Sequence, residues 1–276
     1  MLHGPYGSLA RVLQPPLLAV TLSAMSLSPT PVAAGGPAAS DLTRRGVWVF
    51  DLDNTLYPAH CNLFAQVDVR IRDYVSRYLG LGADAAYRLQ KDYFRDHGTT
   101  LRGMMHHHGM DPGPYLAYVH DIDLAAVEPD PLLARALAAL PGRKVVFTNG
   151  STAHAERVMD RLGVAAAFEA VFDIEAADYI PKPAPAAYDA LVRRHAIDPH
   201  DAVMVEDIAR NLEPAARMGM TTVLVRTDGR FGPPARPGDR SGDRARPPAA
   251  AIHHTVDDLP RWLAGLAGLD TPPAGR

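Results

Sequence analysis

The sequence predicts an α/β fold: a parallel sheet with helices on both faces, interrupted by an inserted block of helices. Short apolar runs of strand length alternate with helical segments along most of the chain. One interval of roughly ninety residues, after the first such run, has helical segments and little strand character. Hydrophobic residues make up 47% of the 276 positions, which is enough for a sizeable core.

Five apolar runs are the predicted strands: residues 46–50, 144–147, 170–172, 202–205 and 222–225. The intervals between the last four carry predicted helices at residues 153–162, 184–195 and 212–218. Gly163 and Gly219 follow two of these helices, as glycines commonly do. Ligands of parallel sheets bind at the carboxyl ends of the strands. A functional site is therefore expected where these strands end.

The long interval after the first strand contains four more predicted helices, at residues 63–79, 83–97, 112–120 and 131–140. It is too long for an ordinary connection between two strands. Residues 59–140 are therefore predicted to be a helical cap domain that covers the site. Residues 46–58 and 141–276 then form the core domain.

Two segments have compositions that do not support a packed core. Residues 1–45 are rich in Pro, Ala, Ser and Gly, and they are predicted to be a disordered or non-core extension. Their apolar patch is shorter than the about 20 residues that span a membrane. A secretory signal peptide and a start site assigned too far upstream are alternative interpretations of this segment. Residues 229–251 alternate Arg and Asp among Pro and Gly, which predicts a low-complexity surface loop. A cytoplasmic protein is expected.

Charge and cysteine content exclude several classes of function. The net charge is −3, from 28 basic and 31 acidic residues, so neither a nucleic-acid-binding surface nor a membrane partner is indicated. The single cysteine, Cys61, excludes an intrachain disulfide and a multi-cysteine zinc site. A metal ion would have to be held by oxygen atoms.

Asp51 and Asp53 stand directly after the first predicted strand, separated by one residue. In extended backbone, residues two apart point the same way, so their carboxylates repel each other unless a cation, a shared proton or a chemical task compensates. A turn or helix-cap cluster would also explain this pair. An EF-hand loop would not, because its sixth position, which requires glycine, is Leu56.

The later strands also end in polar residues. Thr148, Asn149 and Gly150 follow the second strand, Lys182 lies beyond the third, and Glu206 and Asp207 follow the fourth. Together with the first pair, this edge would collect four carboxylates, a lysine and a hydroxyl group. Oxygen ligands without cysteine favour Mg²⁺. A lysine and a hydroxyl suit the binding of phosphoryl oxygens.

Four segments resemble the motifs of the haloacid dehalogenase-like hydrolase superfamily, in its order: FDLDNTLYP, FTNG, IPKP and VMVEDIARNL. The resemblance covers residues 46–227 and implies a Rossmann-like core with a cap domain. Further stretches, including CNLFAQVDVRI, YFRDHGTTLRGMMHHHGMDP and VHDIDL, resemble the pyrimidine 5′-nucleotidase branch.

The resemblance implies separate roles for the two aspartates. Asp51 would be the nucleophile that forms an aspartyl-phosphate. Asp53 would be the general acid for the leaving group and then the general base for the hydrolytic water. Mg²⁺ would be held by Asp51, by the main-chain carbonyl of Asp53 and by Asp207, with Glu206 as a direct or water-mediated ligand.

The remaining motif residues would bind and orient the phosphate. Thr148 and the main-chain N–H of Asn149 would hold phosphate oxygens, and Lys182 would balance the charge of the nucleophile and the phosphate. Asn211 matches the last motif and would orient the site.

The implied activity is Mg²⁺-dependent phosphomonoester hydrolysis, with a pyrimidine nucleoside 5′-monophosphate as the small-molecule substrate. A phosphatase for sugar phosphates or phosphoglycolate and a phosphomutase remain alternatives on the same scaffold. A dehalogenase would not need Asp53 as an acid and base. A non-catalytic phosphoryl-ligand-binding protein would not need the full set of motif residues.

Three other features are interpreted as structural. His106, His107 and His108 are consecutive and cannot share one helix face, so they are not predicted to bind zinc, although one of them could contact substrate from the cap. Tyr57, Tyr179 and Cys61 are predicted to be packing residues.

Overall fold

The computed structural model describes residues 39–227 and 251–269. Strands within these ranges are β1 Val47–Phe50, β2 Arg143–Phe147, β3 Ala170–Phe172, β4 Ala202–Glu206, β5 Thr221–Val225 and β6 His254–Val256. Helices are α1 Ala39–Leu42, α2 Leu63–Leu79, α3 Ala83–His97, α4 Thr100–His108, α5 Pro112–Val119, α6 Pro131–Ala139, α7 Thr152–Leu162, α8 Pro185–His195, α9 Ala209–Met218 and α10 Leu259–Leu266.

All the strands form one parallel sheet in the order β3-β2-β1-β4-β5-β6. The predicted α/β fold with a Rossmann-like parallel sheet is therefore confirmed. β1 is central, with β2 on one side and β4 on the other. From β1 the strand order runs outward to β2 and β3 on one side and to β4, β5 and β6 on the other. Such a reversal of strand order leaves a crevice at the carboxyl ends of β1 and β4. This crevice is where the polar residues after the strands meet.

The core lies on both faces of the sheet, as alternation along β1 requires. Trp48 and Phe50 point to one face and pack in a buried cluster with α6, α7 and α10. Val47 and Val49 point to the other face and pack in a cluster with α8 and α9. All of these β1 side chains are buried, so β1 is covered on both sides.

Helices α2 to α5 share a third apolar cluster, which includes Val75, Leu101, Met104 and Leu116. α6 instead contributes Leu133 and two other buried side chains to the cluster on the sheet. The division of the chain into a core and a cap at residues 59–140 stays a prediction.

The predicted helices at residues 63–79 and 83–97 are confirmed to the residue as α2 and α3. α4 was not predicted, because Gly103 lowers the helix propensity of this short segment. The structure explains the glycine: a Cβ at this position would lie 2.4 Å from the ring of Tyr93 in α3. Close packing of α3 on α4 therefore outweighs the local preference.

α1, β6 and α10 were also not predicted. α1 lies inside the segment predicted as a non-core extension, and Leu42 at its end is buried on the sheet. β6 and α10 follow the low-complexity stretch; β6 extends the sheet beyond β5, and α10 packs on the face of the sheet that carries Trp48 and Phe50. Most of the predicted extension and loop, residues 1–38 and 228–250, lie outside the described residues.

Candidate active site

Asp51 and Glu206 lie next to each other because β1 and β4 are paired neighbours. The main-chain N–H of Asp51 continues the sheet by donating to the carbonyl oxygen of Val205 at 2.9 Å. Glu206 is the last residue of β4, and Asp207 follows it. Asp51 and Glu206 are both buried. The predicted strand-end carboxylates are thus brought together.

Lys182 joins this cluster from the loop after β3. Its Nζ atom donates to Asp51 Oδ1 at 2.6 Å, to Glu206 Oε2 at 2.7 Å and to the carbonyl oxygen of Phe147 at 2.8 Å. The side chain is 2% exposed. Burial alone would lower the pKa of Lys182, but the two carboxylates raise it well above its ordinary value. Lys182 is therefore a fixed positive charge between Asp51 and Glu206.

Asp51, Glu206 and Asp207 form a candidate metal site. Each offers a carboxylate oxygen, and these oxygens lie within 4.8 Å of one another. Within residues 39–227 and 251–269, they are the one group of three or more His, Cys, Asp or Glu side chains with ligand atoms this close. Hard oxygen donors in this number suit Mg²⁺.

The charges in the cluster also favour a cation. Burial, and then repulsion from Glu206, raises the pKa of Asp51 from 3.8 to about 7. Burial and the charges of Glu206 and Asp51 raise the pKa of Asp207 to about 10. The raised pKa values show that Lys182 balances only part of the charge that three ionised carboxylates would carry, so the cluster tends to take up protons unless a cation is bound. The residues present fit a divalent cation.

Thr148 and Asn149 follow β2 at the same edge of the sheet. The Thr148 side chain is buried, and its Oγ1 atom accepts from the N–H of Gly150 at 2.9 Å, so the hydroxyl hydrogen is not used by that bond. Asn149 Oδ1 accepts from the main-chain N–H of Lys182 at 2.8 Å. The Asn149 side chain thus holds the loop that carries Lys182. Phosphate binding by Thr148 and by the N–H of Asn149 stays a prediction.

Asp53 has a different environment from Asp51, although only Leu52 separates them. Its Oδ1 atom accepts from the hydroxyl of Tyr57 at 2.7 Å and contacts His154 Nε2 at 2.9 Å. Burial would raise the pKa of Asp53, but the charge of His154 and the hydrogen bonds from His154 and Tyr57 lower it to about 2. Asp51 is instead held by Lys182, with the hydroxyl of Thr55 donating to Asp51 Oδ2 at 3.0 Å. The two aspartates therefore differ in charge partners.

His154 was not among the residues predicted from the sequence, and Tyr57 was interpreted as a packing residue. Tyr57 is buried as expected, but its hydroxyl contacts Asp53. His154 lies in the first turn of α7, three residues after Ser151, the N-cap that accepts from its N–H. The sequence does show a histidine in the first turn of the helix after the second strand. Whether its side chain faces Asp53 depends on how α7 packs, which a single sequence does not specify.

Asn211 is buried in α9, and its main-chain carbonyl accepts from the hydroxyl of Tyr188 at 2.5 Å. Its Oδ1 atom has no hydrogen-bond partner among the described residues. An orienting role for Asn211 stays a prediction. Tyr179 packs beside the α2–α5 cluster, and Cys61 is a buried free thiol.

The histidine triplet ends α4 and contacts α3 rather than the carboxylates. His107 Nε2 lies 2.9 Å from His97 Nε2, and His108 Nε2 lies 2.7 Å from the hydroxyl of Tyr93. His106 and His97 line a cavity of about 430 Å³ together with Asp96, Arg102 and the Lys182 loop. Among the described residues, the triplet is not part of a group of three ligand atoms within 4.8 Å of one another.

A further contact brings α3 close to α9. The guanidinium of Arg210 lies over the ring of Phe94, 5.4 Å from its centroid. Arg210 is three residues after Asp207, so α3 approaches the sheet edge that carries the carboxylates.

No helix in the described part of the chain is long and apolar enough to cross a membrane.

Comparisons with known proteins bear on this fold and site. The family model of haloacid dehalogenase-like hydrolases matches residues 47–219, and a second, HAD-hydrolase-like model matches residues 179–261. The chain is similar to Phosphate metabolism protein 8 of Saccharomyces cerevisiae, with 27% identity over 199 residues. This match covers 65% of the chain and 61% of the relative, so the chain spans about three fifths of that protein's length.

Two solved structures were found to align with this chain. A HAD phosphatase from Thermococcus onnurineus aligns with a TM-score of 0.50 and 18% identity, over 81% of this chain and 98% of that one. L-2-haloacid dehalogenase from Xanthobacter autotrophicus aligns with a TM-score of 0.45 and 20% identity, over 80% and 99% of the two chains.

Proposed function

The chain belongs to the haloacid dehalogenase-like hydrolase family, and from this premise we propose that it is a Mg²⁺-dependent phosphomonoester hydrolase. The reaction would pass through an aspartyl-phosphate on Asp51, with a pyrimidine nucleoside 5′-monophosphate as the substrate. The observation that carries the proposal is the contrast between two neighbouring aspartates: Asp51 lies among Lys182 and two acids, whereas Asp53 contacts Tyr57 and His154.

Asp51 is the nucleophile in this proposal. Lys182 holds Asp51 Oδ1, and Thr55 holds Oδ2, so the carboxylate has a defined orientation at the crevice. The carboxylate attacks phosphorus, the bond from phosphorus to the leaving-group oxygen breaks, and an aspartyl-phosphate forms. Lys182 balances the negative charge of the transferred group at close range.

Asp53 handles the proton. The leaving-group oxygen takes a proton from the Asp53 carboxyl as its bond to phosphorus breaks. In the second step a water molecule gives a proton to Asp53 while its oxygen attacks phosphorus, and inorganic phosphate leaves Asp51. The free protein holds Asp53 ionised; an incoming phosphoryl group would raise its pKa by adding negative charge nearby, and Asp53 would take up its proton from solvent as the substrate binds.

Mg²⁺ would be held by the carboxylates of Asp51 and Asp207 and the main-chain carbonyl of Asp53, with Glu206 as a direct or water-mediated ligand. When bound, the ion would offset the charge of these carboxylates and of the phosphoryl oxygens. Thr148 and the N–H of Asn149 would hold the remaining phosphoryl oxygens.

The cavity beside the Lys182 loop supports a polar leaving group of nucleoside type. It measures about 430 Å³ and is lined on the helical side by Arg102, His97, His106 and Asp96. Such a volume lies within the range of small-molecule sites, about 300–1,000 Å³. The similarity to Phosphate metabolism protein 8 also agrees with phosphate chemistry.

The first experiment replaces the proposed nucleophile. Asp51→Asn is expected to abolish Mg²⁺-dependent hydrolysis of UMP and the covalent phosphoprotein that acid quenching traps in the unchanged protein, as measured by mass spectrometry. Asp84→Asn, an exposed substitution in α3, is the matched control and should leave both intact. Retained turnover in Asp51→Asn would disprove the nucleophile assignment.

The second experiment addresses the substrate. Hydrolysis of UMP, CMP, dTMP, AMP, phosphoglycolate and sugar phosphates is compared with and without Mg²⁺. The pyrimidine nucleotides are expected to have the highest kcat/KM. Preference for phosphoglycolate or a sugar phosphate would refute the nucleotide assignment and leave the aspartyl-phosphate chemistry standing.

A further inference from the structure

Both hydrogen bonds to the Asp53 carboxylate end on the same oxygen atom. Tyr57 donates to Oδ1 at 2.7 Å, and His154 Nε2 lies 2.9 Å from the same atom. A carboxylate only accepts, so the hydrogen of the histidine contact is on Nε2. An oxygen of a carboxylate has about two lone-pair directions, and two donors occupy both on Oδ1. The lone pairs that remain for a proton are on Oδ2.

We infer that His154 is a positioning residue that, with Tyr57, holds Oδ1 of Asp53 and leaves Oδ2 as the oxygen that exchanges the proton with the leaving group and with water. This inference rests on the proposed phosphatase function. His154 itself does not touch the substrate. It determines which oxygen of Asp53 faces the reacting atoms.

The His154 ring is held in place by contacts from two helices. Its side chain is 1% exposed, in the first turn of α7. The ring stacks on His120, with centroids 4.6 Å apart and planes inclined by 14°. His120 is the C-cap residue of α5, and its Nδ1 atom lies 3.0 Å from the hydroxyl of Ser151. Rotation of the His154 ring would break the stacking, so Nε2 stays directed at Asp53.

The reaction can be written with this geometry. Asp53 carries its proton on Oδ2 while Oδ1 remains the carbonyl oxygen that accepts from Tyr57 and His154. The proton moves from Oδ2 to the leaving-group oxygen as the bond from phosphorus to that oxygen breaks. The hydrolytic water later returns a proton to Oδ2 as its oxygen bonds to phosphorus and the bond to Asp51 breaks. Neither step requires His154 to change its own number of protons.

The test compares two substitutions of similar size. His154→Gln retains an N–H donor near the position of Nε2, whereas His154→Met has no donor. With UMP, whose alkoxide leaving group needs protonation, His154→Met is expected to lower kcat by about 10- to 100-fold with little change in KM, since general acid catalysis contributes about 10²–10⁴-fold. His154→Gln is expected to recover most of this loss.

A second substrate separates positioning from a structural defect. p-Nitrophenolate leaves without a proton, so formation of the phosphoenzyme from p-nitrophenyl phosphate should be little affected in His154→Met. Hydrolysis of the phosphoenzyme still needs Asp53. His154→Met should therefore release about one equivalent of p-nitrophenolate in a fast burst and then turn over slowly, whereas it should show no burst with UMP.

Tyr57→Phe provides a variant that leaves α7 unchanged and removes the other donor to Oδ1. It should show the same difference between the two substrates, so the inference stays testable if His154→Met does not fold. Equal losses in the rate of phosphoenzyme formation from both substrates in Tyr57→Phe and His154→Met, or normal UMP turnover in His154→Met, would overturn the inference. Absence of phosphoenzyme in the unchanged protein would instead overturn the proposed function.

Discussion

Lys182 uses all three of its N–H donors on fixed partners. Two partners are carboxylates, Asp51 and Glu206, and the third is the carbonyl of Phe147. Removing one member of a buried ion pair leaves the other charges uncompensated. Lys182 therefore contributes both to the stability of the fold and to the proposed charge balance of the reaction.

Lys182→Met is expected to lower the free energy of unfolding by about 3–5 kcal/mol, because Asp51 and Glu206 lose their buried counter-charge. The same substitution should lower kcat by about 10²–10³-fold, as loss of one charge-stabilising donor does elsewhere. Urea unfolding and UMP hydrolysis measure the two effects.

Lys144→Met is the control. Lys144 is also buried, but its partners among the described residues are main-chain carbonyls: its Nζ atom donates to Leu140 at 2.6 Å and to Gly142 at 2.9 Å. Its loss should cost about 1–3 kcal/mol of stability and leave kcat unchanged. An equal loss of activity in both variants would contradict the role given to Lys182.

The residues brought together at the sheet edge were those that the sequence places directly after strands. Asp51, Glu206 and Asp207 could be predicted because the carboxyl ends of parallel strands share one edge. His154 and Tyr57 could not, because each lies inside a local segment where histidine or tyrosine commonly packs. Their contact with Asp53 depends on how α7 and the turn after β1 face each other.

At the scale of elements, helices with strong apolar periodicity were predictable, as were the short β3, α5 and α6, whereas four other short elements, α1, α4, β6 and α10, were not. α2 and α3 have long amphipathic patterns, and their predicted bounds agree with the structure. α4 and β6 are short, and each depends on packing against the element before it, α4 on Tyr93 of α3 and β6 on β5. For such elements tertiary contacts outweigh local propensity.

The turn that begins β2 gives a prediction at this scale. Gly142 has φ +89°, and a Cβ there would lie 2.7 Å from the carbonyl oxygen of Arg45 and 2.9 Å from that of Gly46. Gly142→Ala combines left-handed strain with a clash against backbone beside β1, so it should lower the free energy of unfolding by about 3 kcal/mol. Urea denaturation measures the difference.

Gly163 is the matched control for this substitution. It has φ +75° at the end of α7, and nothing lies within 4 Å of a Cβ built there. Gly163→Ala should therefore cost only the backbone strain, about 1 kcal/mol. Equal decreases in the free energy of unfolding in the two alanine variants would show that the clash with the segment before β1 does not contribute to the loss of stability.

For the whole molecule, the alternation of strands and helices predicted a parallel sheet but not its order. The arrangement β3-β2-β1-β4-β5-β6 follows from which apolar faces meet, and this information is distributed over the chain. The order matters for function because it makes β1 and β4 neighbours. Without that pairing, Asp51 would not lie beside Glu206 and Asp207.

Metal binding at the carboxylate cluster, as proposed, would also stabilise the entire fold. A ligand that binds only the folded state stabilises it by about 2.7 kcal/mol at a concentration 100 times its Kd. Mg²⁺ at such a concentration should raise Tm by about 5–10 °C for a chain of this size. Differential scanning calorimetry with Mg²⁺ and with EDTA measures the shift.

Asp207→Asn should raise Tm in EDTA but reduce the increase in Tm that Mg²⁺ causes. In EDTA at neutral pH it should have a higher Tm than the unchanged protein, because burial and the neighbouring carboxylates disfavour the ionised form of Asp207 in the folded state and asparagine carries no such charge. Addition of Mg²⁺ should raise the Tm of this variant only slightly, because one proposed carboxylate ligand of the ion is missing. Asp84→Asn should retain the full Mg²⁺ shift, and an undiminished shift in Asp207→Asn would contradict the metal assignment.

The central position of β1 has a consequence for synthesis of the chain. β1 is the first described strand to leave the ribosome, yet its two neighbours, β2 and β4, are made much later. Until then both of its edges have unpaired backbone groups, which can pair with other chains. Helices α2 to α6 emerge during this interval, and early packing of α6 on the apolar face of β1 would shield a nascent chain from aggregation before the sheet closes.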